Sequence, residues 1–104
     1  MIVTTTDSIP GSEISDILGV VQGNVVRAKH IGKDIVAGLK AIVGGEIRQY
    51  TELMTEAREQ ALERMVAEAH KKGADAVITV RFSTSMITDS MSELLVYGTA
   101  VRCK

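Results

Sequence analysis

The sequence predicts an α+β domain: a small antiparallel sheet packed by one long helix. The first observation is an amphipathic helix pattern over residues 51–72, which ends at Gly73. The second is a pair of β-type runs, residues 76–83 and 93–103, that follow it directly. The third is the length, because 104 residues suit one domain spanning positions 1–104.

The helix prediction rests on an apolar stripe and on the charges near its end. His70, Lys71 and Lys72 crowd the last turn, where cations suit the helix dipole, and the start could lie as early as Glu46. Apolar residues recur at steps of three and four, which places them on one face. They are Leu53, Met54, Ala57, Ala61, Leu62, Met65, Val66 and Ala69.

The first half of the chain gives weaker patterns. Residues 1–6 are rich in β-branched side chains and predict a strand, and residues 7–11 predict a turn. Residues 12–18 are compatible with one helical turn or with an irregular segment whose apolar side chains fill the core. Residues 19–29 alternate as a second strand, where Gly23 indicates a bulge or a close backbone approach.

Two further segments carry expectations of their own. Residues 30–43 predict a short or broken helix, ended by the pair Gly44 and Gly45. Residues 84–92 are polar and predict a loop with a turn at Asp89 and Ser90.

The alternation of residues along the two C-terminal strands predicts which face of the sheet each side chain lies on. In the first, the alternating set of Ala76, Ile78, Val80 and Phe82 is expected to lie under the helix. The last strand is fairly apolar on both faces, which favours a second layer such as a neighbouring subunit.

Composition and charge argue against several classes of function. The net charge is −1 with no basic block, which disfavours a nucleic-acid surface. No apolar run reaches the roughly 18 residues of a membrane span, and no leader pattern opens the chain. A single cysteine excludes an intrachain disulfide and fits the reducing cytoplasm. With only three aromatic residues the core must be aliphatic, so subunit contacts are expected to add burial.

The chain resembles the YbjQ-like family, often labelled heavy-metal-binding. The resemblance runs nearly end to end and rests on separated blocks in the right order. These blocks are GVVQG (19–23), AKHIGKD (28–34), VGGEI (43–47), YT (50–51), AR (57–58), RM (64–65), GADAV (73–77), VRF (80–82) and YGTAV (97–101). The resemblance implies a sheet-and-helix subunit assembled as a ring, commonly a pentamer, and it implies little about chemistry. Residues 83–92 are less acidic and have fewer glycines than the family pattern.

Metal ligation would need cysteine or histidine ligands, and the chain offers them only singly. Soft metals and zinc prefer three or four such ligands at defined spacing. Cys103 and His30 are the candidate ligands, whereas His70 simply suits a helix end. A ring would bring several copies of each residue together, so symmetry could assemble a site that one chain lacks. Met86 and Met91 are freer than the core methionines and are remoter candidates for a soft metal.

A second set of residues could line a pocket for an anion or other small ligand. Arginine and tyrosine side chains supply donors and flat apolar surface. Their structural alternative is ion pairing of the arginines with Glu46 or Glu93. The candidate ligand-lining residues are Glu46, Tyr50, Arg58, Arg81 and Tyr97.

The sequence predicts a binding protein more readily than an enzyme. It has no nucleophile elbow, no adjacent cysteine and histidine, and no carboxylate pair in an evident pocket. The expected function is a cytoplasmic homo-oligomer that binds a small ligand or soft metal ion at a subunit interface. The alternatives are a structural or partner-binding oligomer without a small ligand, and a small enzyme with an interface active site.

Overall fold

The computed structural model describes residues 1–28, 48–88 and 91–104. The short or broken helix predicted over 30–43 and the turn at Gly44 and Gly45 lie outside these ranges. Within them the chain forms strands β1 (Ile2–Val3) and β2 (Ile14–Ala28), helix α1 (Arg48–Lys71), and strands β3 (Ala76–Thr88) and β4 (Met91–Cys103). The α+β class is confirmed.

The four described strands form a mixed sheet, whereas the sequence predicted an antiparallel one. The spatial order is β1-β3-β4-β2, with β3, β4 and β2 antiparallel to their neighbours. The short β1 instead runs parallel to β3, with Ile2 opposite Ala76 and Val3 opposite Val77. The sequence pattern marks a strand but carries no signal for its direction relative to a partner 70 residues away.

Helix α1 matches its prediction in position, buried face and end. Ala57, Ala61, Met65 and Ala69 are fully buried, while the larger members of the stripe are half-buried. Gly73 has a φ of 75°, and the amide of Ala74 donates to the Ala69 carbonyl, which closes the last turn. No helix of the described chain is long and apolar enough to cross a membrane.

Strand β2 begins earlier than predicted, and its predicted alternation is confirmed. The segment 12–18, left open between a helical turn and a core plug, joins the strand from Ile14 onward through two register shifts against β4. Val21, Gly23 and Val25 are buried under the helix, and Val20 and Val26 face away and are exposed. The predicted first strand is shorter than residues 1–6, since only Ile2–Val3 pairs regularly.

Gly23 is the point where the helix comes closest to the sheet. A Cβ placed there would lie 2.6 Å from the backbone nitrogen of Met65 and closer still to the Ala61 carbonyl oxygen. Only glycine leaves room for this approach, so the close-approach alternative is the correct one of the two predicted.

A bulge in β3 makes the predicted face assignment wrong for Ala76 and Ile78. Those two pack on the far side of the sheet, while Val77 and Val80 pack under the helix. The register slips between Ile78 and Arg81, where Thr79 has a φ of 53°. One extra residue in the strand reverses the alternation, and residue spacing alone does not reveal it.

The far side of the sheet has its own small core near the strand ends. Ile9 lies over Ala76, Ile78 and Val101, with Ile14 and Cys103 packed at the margin. Backbone hydrogen bonds fix the N-terminal segment there: the Val80 amide donates to the Thr4 carbonyl at 3.0 Å and the Thr79 amide to the Thr6 carbonyl at 2.9 Å.

The described part of the predicted loop over 84–92 is strand, and the predicted turn at Asp89 and Ser90 lies outside the described residues. β3 continues to Thr88 and β4 starts at Met91, so the two form a long hairpin whose β3 arm is exposed from Arg81 onward. Polar and β-branched residues suit a solvated hairpin, so the polarity that indicated a loop reflects exposure. The principal extents of the molecule are 54 × 27 × 17 Å.

Replacing Gly23 with alanine should lower the free energy of unfolding by about 3 kcal/mol, since the new methyl group meets helix backbone and not a movable side chain. Urea denaturation measures the loss. The control is Glu59→Ala, which changes an exposed side chain of the helix and should shift stability by less than about 0.5 kcal/mol. Equal stability of the Gly23 variant and the wild type would contradict the close approach.

Replacing Thr79 with asparagine should stabilise the fold by about 1 kcal/mol. A β-branched residue at positive φ is strained, and asparagine tolerates that conformation better. The same change at Thr99, a regularly paired strand residue, should destabilise slightly. A thermal melt showing loss of stability only at position 79 would contradict strain there.

Candidate functional site

Within residues 1–28, 48–88 and 91–104, nothing covers the sheet face opposite helix α1 beyond the small core around Ile9. We call this surface the open face and define it by the outward residues of the three long strands: Val20, Gln22, Asn24, Val26, Arg81, Ser83, Ser85, Glu93, Leu95 and Tyr97. Val20 is 67% exposed, Val26 47% and Tyr97 39%. Exposed apolar side chains set among polar ones, as here, are typical of a binding or assembly surface.

Residues of the open face that lie opposite one another on neighbouring strands form rows across the sheet. Tyr97 on the central strand lies between Gln22 on one side and Arg81 on the other. Residues directly opposite on neighbouring antiparallel strands have Cβ atoms about 5 Å apart, so this row places a phenol ring beside a guanidinium and an amide. Such a combination can hold a flat or anionic small molecule by stacking and hydrogen bonding.

Arg81 is already engaged with the backbone. One of its terminal nitrogens, Nη1, donates to the Thr5 carbonyl at 3.2 Å and to the Val80 carbonyl at 2.9 Å. The bond to Thr5 joins the edge of β3 to the N-terminal segment. The predicted ion pair with Glu93 is not formed, because the Glu93 carboxylate accepts from Nδ2 of Asn24 at 3.1 Å.

The five predicted ligand-lining residues do not all meet. Arg81 and Tyr97 are paired across strands on the open face. Arg58 lies on the helix, at the other side of the sheet, and donates to the Thr55 hydroxyl one turn earlier. Tyr50 belongs to α1, but its side chain is outside the described part of the structure, as is the whole of Glu46.

Cys103 lies at the end of β4 beside the small core on the open-face side. It is half-buried, and its backbone amide donates to the Asp75 carboxylate at 2.9 Å. Across residues 1–28, 48–88 and 91–104, no three cysteine, histidine, aspartate or glutamate side chains lie close enough together to hold a metal ion. His30 lies outside these ranges, so Cys103 and His30 as metal ligands stay a prediction.

The remaining sulfur and histidine candidates lie apart from Cys103 along the chain. Met86 is 74% exposed on the β3 arm of the hairpin, and Met91 is half-buried where β4 begins. His70 is exposed in the last turn of the helix, as expected for a residue that suits the helix dipole.

One polar contact between sheet and helix was missed by sequence reasoning. Arg27 donates from Nη2 to the Gln60 side chain at 3.2 Å, and its Nε is the one buried side-chain polar atom of the described residues without a partner. Arg27 alternates in phase with Val21 and Val25, which are buried, so a charged residue on this face of β2 was the available signal.

The described ranges define a class: a small α+β domain in which they form one helix on a four-stranded mixed sheet and leave the second sheet face open. The chain belongs to the YbjQ-like family. The family model YbjQ_1, described as "Putative heavy-metal-binding", matches residues 1–104.

Relatives and one solved structure agree with this assignment. A UPF0145 protein of Colwellia psychrerythraea is 64% identical over 104 residues, covering 100% of this chain and 99% of the relative. A UPF0145 protein of Archaeoglobus fulgidus is 61% identical over 104 residues, covering 100% and 96%. The crystal structure of a Pediococcus pentosaceus protein of unknown function, from the DUF74 family, matches with a TM-score of 0.67. It is 16% identical and covers 100% of this chain and 98% of its own, which supports the fold.

Replacing Arg81 with alanine should lower the free energy of unfolding by about 1 kcal/mol, because two hydrogen bonds to backbone carbonyls are lost. Arg58→Ala is the matched control and should cost under about 0.5 kcal/mol, since its contact lies within one exposed helix turn. Chemical denaturation of both variants tests this, and equal losses would contradict a tethering role for Arg81.

Proposed function

We propose that this protein is a cytoplasmic binding protein that works as a homo-oligomer and holds a small ligand or a soft metal ion where its subunits meet. The observation that carries the proposal is the open face, with Val20, Val26 and Tyr97 exposed beside polar groups. The free thiol of Cys103 fits a reducing compartment.

Burial of this face supplies the energy for assembly. Covering a valine or tyrosine side chain is worth on the order of 1.5–3 kcal/mol, so a few such residues per contact favour association. Further large apolar side chains lie exposed on the molecule: Ile17, Phe82, Met86 and Ile87. A closed ring, with five copies as the family resemblance implies, would bury the same surface in every subunit.

The row of Gln22, Tyr97 and Arg81 is the best candidate for contacting a small ligand. Small-molecule sites are mostly apolar with a few convergent polar groups, and this row has that mixture within an apolar face. Nη1 of Arg81 is used by the backbone bonds, which leaves Nε and Nη2 as donors toward a bound carboxylate or phosphate.

A soft metal ion would need ligands from more than one subunit. Cys103 supplies one thiolate per subunit. The Asp75 carboxylate lies beside it and accepts a hydrogen bond from the Cys103 backbone amide. Repetition of that thiolate about a symmetry axis, together with His30, would assemble a ligand set suited to zinc, cadmium or copper(I). The description of the family model points the same way.

Native mass spectrometry of untagged protein, purified without chelator, is the deciding experiment. A discrete multimer with a reproducible added mass is the expected result, and the mass identifies the ligand class. A multimer without added mass favours the structural or partner-binding alternative. A bare monomer overturns the assembly and the interface site together.

Replacing Cys103 with serine should abolish stoichiometric binding of Zn²⁺ or Cd²⁺, with at least a tenfold rise in the apparent dissociation constant, because the only thiolate is lost. Isothermal titration calorimetry measures it. The control is His70→Gln, which alters an exposed helix residue and should leave binding unchanged. Unchanged affinity in the Cys103 variant would remove that residue as a ligand.

A further inference from the structure

Residues 1–12 lie along the end of the sheet where β3 begins, and we call them the strap. Ile9 is the one buried side chain in the strap and Thr4 is half-buried, whereas every other strap residue is exposed. Even the two residues of β1, Ile2 and Val3, are 52% and 36% exposed. A segment that buries so little apolar surface opens at a lower free energy than the packed core.

Backbone hydrogen bonds to the edge of β3 hold the strap in place. The Thr4 amide donates to the Val77 carbonyl at 3.0 Å. The Thr4 carbonyl in turn accepts from the Val80 amide at 3.0 Å, and the Thr6 carbonyl accepts from the Thr79 amide at 2.9 Å. Water can replace each of these bonds when the strap lifts away, so their net contribution to closure is small.

The β3 backbone under these bonds is strained. Thr79 has a φ of 53°, and at this bulge the consecutive amides of Thr79 and Val80 both donate to strap carbonyls. A β-branched residue persists at positive φ only where the surrounding structure holds it there. Lifting the strap removes two bonds that hold this conformation, so relief of strain offsets part of the cost of opening.

A turn separates the strap from a part of the chain that is fixed. Gly11 has a φ of 80°, and the Ser12 amide donates to the Ile9 carbonyl at 3.0 Å, which closes the turn. Immediately beyond the turn, the Glu13 carbonyl accepts from the Lys104 amide at 2.8 Å. The strap can therefore move about this turn while β2 and β4 stay paired.

Arg81 fastens the strap beside the candidate ligand site. Its Nη1 donates to the Thr5 carbonyl at 3.2 Å, and Arg81 lies opposite Tyr97 on the open face. The contacts of the strap thus reach the groups that the proposed small ligand would use.

Ile9 fills an apolar slot on the open-face side of the sheet. The floor of the slot is formed by Ala76, Ile78 and Val101, which are 1%, 8% and 0% exposed. Cys103 packs at the margin of the slot and is half-buried. Because side chains alternate along β4, the slot lies on the same side of that strand as the open face. Without Ile9, the slot and the open face would form one longer apolar surface.

We propose that the strap is a displaceable cover, which opens as one unit about the turn at Gly11 while the rest of the fold stays intact. Opening uncovers the apolar slot and the Cys103 thiol, and Ile9 occupies the slot in the closed state. The cover thereby controls how much of the open-face side is available for contacts. The inference concerns the single chain, so it stands or falls independently of the proposed oligomer, ligand and metal.

Native-state hydrogen exchange of the full chain, followed by NMR at urea concentrations well below the unfolding transition, tests the cover. The amides of Thr4, Thr79 and Val80 should share one opening free energy and be about tenfold or more less protected than those of β4, which is paired on both sides. Their exchange should not depend on urea, because opening exposes little surface. Protection and urea dependence equal to those of β4 would overturn the proposal, and three different opening free energies would overturn opening as one unit.

A matched pair of variants tests Ile9 as the anchor. Ile9→Ala should speed exchange of the same three amides about tenfold or more, whereas Ile2→Ala, at an exposed strap position, should change it less than about twofold. Reaction of the Cys103 thiol with DTNB should accelerate to a similar extent in the Ile9 variant alone. Unchanged amide exchange would overturn the anchor, and unchanged thiol reactivity would overturn the uncovering of Cys103. Should the Ile9 variant not fold, the urea series on the wild type decides.

Discussion

The contact between helix α1 and strand β2 at Gly23 is the constraint on which the rest of the structure depends. Because the strand offers no side chain there, helix backbone sits directly on strand backbone. The helix stripe is built from alanines at Ala57, Ala61 and Ala69 with one large residue, Met65, so it can lie low on the sheet. A core with few aromatic residues thus reaches close packing through small residues at close range.

This close approach determines which surface is left over. The helix lies on one face and covers Val21, Val25 and Val96, and of the part of the chain that the structure describes, the N-terminal segment alone covers the other face. That segment reaches no further than the level of Arg81, where its carbonyl at Thr5 accepts a side-chain bond. Among the described residues nothing covers the face beyond it, so the proposed small-ligand contact at Gln22, Tyr97 and Arg81 falls on this part of the sheet.

The bulge at Thr79 links the covered and uncovered halves of the sheet. It moves Val80 under the helix and turns Arg81 to the open face beside Tyr97. Gly98 on the facing strand leaves room for Val77 and Val80, since a Cβ there would lie 2.7 Å from one and 3.0 Å from the other. A strained backbone position thereby decides the chemistry of the open face, and it also marks where the covered edge of β3 ends.

The sequence by itself determined the helix, its buried stripe and its end at Gly73, the alternation of β2, and the family, because these depend on local spacing and on residues close in the chain. It also indicated the close approach at Gly23, since a glycine weakens a strand interior and is favoured where another backbone lies against it. Only the tertiary structure decided the parallel pairing of β1, the reversed faces of Ala76 and Ile78, and the strand nature of residues 84–88. It also separated Arg58 from Arg81 and Tyr97 by the thickness of the sheet. The reason is physical: strand direction, bulges and the side of a sheet are set by partners far away in sequence, and a residue pattern records only which positions are apolar.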